Sequence, residues 1–214
     1  VPPEDRFVPR FAAEPPQELL PYGRWEQRLR EEFLSACLRL EGDELGDPGD
    51  PVWFPDRTWN GRTYVPVTAR TDTGLDLYGI VSFIPAFEDG EEPREFRATA
   101  DWTEETVENN PEWTIDLCDE VVGGWRGERG AVAAMTVVWG VPVVSGATVA
   151  TAELAALVVD QCALVDNRFT LLAPDDYRGD TLEVHLFDSH GRELAAESLY
   201  SDDAGDEDEE PAPV

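Results

Sequence analysis

The chain predicts an α+β fold, mainly antiparallel sheet with an N-terminal helix and a second helix packed on it. Three observations carry this. A stretch near the N-terminus repeats apolar residues at helical steps. The middle of the chain alternates apolar and polar residues between short turns, which favours antiparallel neighbours. One run, 131–139, "AVAAMTVVW", is so apolar that it reads as a central strand covered on both faces.

The elements follow in chain order. Residues 1–20 are rich in proline and charge and read as an extended arm, pinned by Phe7, Val8 and Phe11. Pro21 suits the first turn of a helix. Tyr22, Trp25, Leu29, Phe33, Ala36, Cys37 and Leu40 then share one face until Gly42, which makes Cys37 a core residue. Residues 41–61 read as a loop. Strands are predicted at 62–70, 75–87 and 94–102, with turns at 72–74 and 89–93. Thr103 to Asn109 suits one or two helical turns, closed by Pro111. In "PEWTIDLCDE", 111–120, Trp113, Ile115 and Leu117 alternate inward. Thr114, Asp116 and Cys118 then face solvent, with Asp119 and Glu120 at the strand end.

"GGWRGERG", 123–130, reads as a glycine-rich turn. Ala147 to Cys162 carries Ala150, Leu154, Leu157, Val158 and Cys162 on one helical stripe and is the expected second helix. Its Val and Thr content supports a competing reading, two strands around Ala155. Strand 167–174 and a hairpin over 181–200 complete the body, with Leu194, Ala196 and Ser198 inward on the last strand. The expected organisation is an arm at 1–20, one domain over 21–200 and a disordered acidic tail at 201–214.

The charge narrows the function. The 214 residues carry 46 acids and 16 bases, a net charge of −30, and every base is arginine. Such a field repels nucleic-acid phosphates and favours a basic protein partner, cations or solubility in salt. Cys37, Cys118 and Cys162 are too few and too scattered for a disulfide framework, which suits a reducing cytoplasm. The start lacks a signal-peptide pattern, and the longest apolar region, 131–159, is too interrupted to cross a membrane as one helix.

Motifs for chemistry are sparse. The acids Asp43, Glu44, Asp47 and Asp50 lack the fixed ligand pattern of a calcium loop. No nucleotide-binding glycine fingerprint and no serine-nucleophile elbow occurs. No cofactor is therefore expected. Asp116 beside Cys118 makes a poor nucleophile, because a carboxylate raises a thiol's pKa. Asp101, Asp116, Glu120, Asp160 and Asp166 lie near apolar strands and are the carboxylates expected to be perturbed.

The leading expectation is a non-enzymatic acidic protein-binding or accessory protein, meeting a protein partner or a second copy. Its expected surface combines Trp125, Arg126 and Arg129 with Asp116 and Glu120. The alternative is a small-molecule binding protein or enzyme, with a cleft built from His185, Asp188, His190 and Cys118.

Overall fold

In a computed structural model, the described residues are 25–41, 45–86, 92–126, 132–177 and 179–199. The expected arm, the acidic tail and Arg129 lie outside them. The fold is mostly antiparallel sheet with one helix among these residues. No described helix is long and apolar enough to cross a membrane.

The helix, α1 (Glu26–Cys37), buries Leu29, Phe33, Ala36 and Cys37, as the spacing predicts. It lies on a six-stranded sheet, sheet 1. This sheet contains β1 (Val52–Trp53), β2 (Arg57–Trp59), β3 (Arg62–Arg70), β4 (Asp76–Ile84), β5 (Arg94–Ala98) and β6 (Asp101–Thr103). On β4 the alternation is direct. Leu77, Val81 and Phe83 pack toward α1, whereas Tyr78 and Ile80 pack the other way.

Sheet 2 is the middle layer, in the order β11 (Phe169–Asp175), β8 (Val132–Pro142), β7 (Ile115–Arg126). Met135, Val137 and Trp139 of β8 meet sheet 1, and Val138 meets sheet 3, so β8 is covered on both faces. Sheet 3 runs β10 (Leu157–Ala163), β9 (Val149–Leu154), β12 (Leu182–Phe187), β13 (Glu193–Ser198). Ala150, Ala152, Leu154, Leu182, Val184 and Leu186 form its inner face.

Several expectations are corrected. The helix expected at 147–162 is the β9–β10 hairpin. Alternating Ala150, Ala152 and Leu154 are buried, and Leu154 pairs with Leu157 across a two-residue turn. Ala155 and Ala156 take φ of 54° and 59°, the left-handed conformation such a turn demands. The loop expected over 41–61 holds β1 and β2, both paired to β3. The strand expected at 94–102 is split into β5 and β6. Thr103 to Asn109 forms turns and no helix, and the glycine-rich turn begins as the end of β7. On β13 it is Ala195 that is buried, while Ala196 and Ser198 face out; a register shift opposite Leu186 and Phe187 reverses the expected parity. Trp102, at the middle of β6, is 39% exposed.

Candidate functional site

The polar face of β7 is partly buried and not open to bulk solvent. It forms one wall of a cleft of about 350 Å³ between sheets 1 and 2. Phe54, Tyr78, Trp113 and Trp139 supply aromatic surface. Asp76, Glu105 and Asp116 supply three carboxylates against one cation, Arg70. Pockets of this size, apolar with a few converging polar groups, are the usual form of ligand sites.

Local structure sets each group. Asp76 opens β4, opposite Arg70 at the end of β3. Arg70 lies 3.6 Å from Asp76 and 2.8 Å from Glu108. Asp116 sits on β7, whose next residue, Leu117, pairs with Gly140 of β8. A Cβ on Gly140 would overlap the Asp116 carbonyl oxygen, so glycine there allows the close approach of the strands. Trp139, fully buried, forms part of the floor, and its Nε1–H has no hydrogen-bond partner in the structure.

The electrostatics follow from burial. Burial raises Asp116 above the ordinary carboxylate range, and the charge of Asp76 raises it further. Asp76 is also raised by burial, against the pull of Arg70. Burial raises Asp119 and Glu120 too. Glu120 sits further along β7, where its Oε2 accepts a 2.6 Å hydrogen bond from the Thr99 hydroxyl. The Cys118 thiol is pushed far up, first by burial and then by Asp116, Asp119 and Asp76. It is an inert lining group and no nucleophile. Asp160, outside the cleft, is raised because burial outweighs its Arg57 partner.

These shifts fix a pH dependence. A carboxyl whose folded pKa is raised holds a proton at pH values where the unfolded chain has lost it. It therefore stabilises the fold increasingly as pH falls through the folded pKa, and the gain is complete below the unfolded value of about 4. Asp76, Asp116, Asp119, Glu120 and Asp160 all act in this direction. Relief of repulsion in a chain of charge −30 acts the same way. The melting temperature is expected to rise as pH is lowered from about 7 toward about 4 at constant ionic strength. A fall over that interval, read by differential scanning calorimetry, would contradict the burial of these groups.

The other expected site residues are dispersed. Trp125 is half-buried, packed edge-on against Tyr177 at 5.9 Å, so it is no exposed anchor. Arg126 is exposed, but it lies ten positions from Asp116 along β7, roughly 33 Å in an extended strand. The expected partner surface is therefore not one patch: Asp116 belongs to the cleft and Trp125 to the core.

The alternative set does not assemble either. Cys118 lies between sheets 1 and 2, whereas His185 lies on the face of sheet 3 turned away from sheet 2. There its ring nitrogens are 3.4 to 3.8 Å from the carboxylates of Glu153, Glu183 and Glu193. His190 is exposed in the β12–β13 turn. Asp188 shapes that turn by accepting backbone hydrogen bonds from His190 at 2.8 Å and Arg192 at 3.0 Å. Those bonds hold its carboxyl below the ordinary range. Among the described residues no group of His, Cys, Asp and Glu is arranged to hold a metal ion.

Sequence reasoning found Asp116 but not Asp76, its neighbour across the cleft, nor the free Trp139 Nε1–H. No protein-family model, curated protein or solved structure matches the chain.

Proposed function

We propose that this chain is a non-enzymatic acidic binding protein, and that it receives a basic protein partner at the mouth of the cleft between sheets 1 and 2. One observation carries the reading. Three carboxylates, four aromatic side chains and a single arginine line one cleft in a chain of charge −30. A field of that sign draws a basic partner in and turns nucleic acid away. The three cysteines are free, which fits a reducing cytoplasm.

Isothermal titration calorimetry of the full chain with an alternating arginine–alanine peptide tests this. Saturable binding is expected at low salt, weakening by about tenfold or more between ~0.05 and ~0.5 M salt. Absence of saturable binding at low salt would overturn the reading.

A second reading, a small-molecule binding protein or enzyme, is favoured by the charge of Asp76, which raises the pKa of Asp116. Two carboxyls with raised pKa in one cleft suit proton transfer. In that reading these residues take the role expected of His185.

A further inference from the structure

Two unsatisfied groups of opposite demand belong to residues that line the cleft. Asp116 has no hydrogen-bond or ion-pair partner among the described residues, although half-buried. An unpaired carboxylate out of bulk water is costly, and a cation offsets that cost. Arg70 does not serve Asp116: its contacts are Glu108 at 2.8 Å and Asp76 at 3.6 Å. The second group is the Trp139 Nε1–H, on a residue with no exposed surface and no acceptor. A buried donor left unmade also costs stability.

We infer that the cleft binds one organic cation, a guanidinium or alkylammonium group with a hydrogen-bond acceptor close to it. Asp116 anchors the cation and Trp139 donates to the acceptor. Tyr78, Phe54 and Trp113 give the cation aromatic surface, which attracts such groups most strongly when they are desolvated. A volume of about 350 Å³ suits an organic group rather than a bare ion. An arginine or lysine side chain beside its own peptide carbonyl has both features, and so do small free cations. The inference rests on the binding reading above and gives it a chemical address.

The test is a nuclear magnetic resonance titration of the ¹⁵N-labelled full chain, following the tryptophan indole N–H signals. Trp139→Phe identifies the signal of Trp139. The probes are N-acetylarginine methylamide and its uncharged isostere, N-acetylcitrulline methylamide. The arginine probe is expected to shift the Trp139 signal saturably, and the citrulline probe to leave it in place at the same concentration. Asp116→Asn, close in shape and neutral, is expected to weaken the arginine probe by about tenfold or more. Equal response to both probes, an unchanged affinity in Asp116→Asn, or no saturable shift would each overturn the inference.

Two further arms separate the sources of the cation. Agmatine binding as tightly as an arginine-containing pentapeptide supports a free small cation. A pentapeptide about tenfold tighter supports a protein chain. The arginine–alanine peptide keeps the two proposals apart. If it binds wild type and Asp116→Asn equally, the acidic-surface reading stands and the pocket falls. If neither it nor the arginine probe binds, both fall.

Discussion

Replacing Asp160 with alanine is expected to lower the unfolding free energy by about 3–5 kcal/mol, the usual cost of breaking a buried ion pair. Asp160 on β10 faces Arg57 on β2, with Nη2 to Oδ2 at 3.1 Å and side chains 11% and 4% exposed. The arginine also donates from Nε to the Thr170 carbonyl at 2.9 Å and from Nη2 to the Gln161 carbonyl at 3.3 Å. Asp160 in turn accepts the Leu172 N–H at 2.8 Å. This group ties β2 of sheet 1 to β10 of sheet 3 and β11 of sheet 2. Removing the carboxylate takes a charged partner from a buried guanidinium and orphans the Leu172 N–H. Urea unfolding followed by tryptophan fluorescence measures the loss. The double variant Arg57→Met with Asp160→Leu is expected to regain much of it, because a well-packed apolar pair avoids desolvation. A single-variant loss below about 1 kcal/mol would class the pair with exposed ion pairs.

The second large effect is expected from Phe33→Ala, about 3–5 kcal/mol for an aromatic side chain removed from a packed core. Phe33 has no exposed surface and meets Trp53 edge-on at 6.5 Å. It is the largest buried side chain of α1. The helix has 12 residues and no side-chain N-cap, and a helix that short is marginal alone. It depends on the face carrying Leu29, Phe33, Ala36 and Cys37. Circular dichroism at 222 nm during urea unfolding is expected to show helical signal lost before the sheets unfold. One cooperative transition with a loss under about 1 kcal/mol would show that α1 is held by other means.

The legible parts of the fold were those where one periodicity dominates. The i, i+3, i+4 spacing from Trp25 to Cys37 located α1, and the alternation of Val65, Val67 and Ala69 located β3. The β9–β10 hairpin was hidden because its turn is Ala155–Ala156. No glycine or asparagine marks it, and two alanines hold φ near +55° where sequence rules expect helix. Packing of Ala150, Ala152 and Leu154 against sheet 2 outweighs the local cost of that turn. The short β1 and β2 were hidden for a different reason: two or three residues are too few for any period, and pairing with β3 creates them.

The candidate site was half legible. Alternation placed Asp116 and Cys118 on one face of β7, but alternation does not say whether that face meets water or another sheet. The decisive signal was in β8. A strand apolar on both faces belongs to a middle layer, and β7, paired beside it, shares that layer. Asp76 left no such signal, because its approach to Asp116 depends on how sheets 1 and 2 stack. The Trp139 donor was equally silent, since an orphaned N–H is a property of surroundings and not of residue type.

The most direct measurement of the central claim is a crystal structure of the full chain grown with N-acetylarginine methylamide. Guanidinium density is expected between β4 and β7, within hydrogen-bonding distance of the Asp116 carboxylate, with the probe's carbonyl against the Trp139 Nε1–H. A cleft left empty at saturating probe, with the probe bound at another acidic surface, would contradict it.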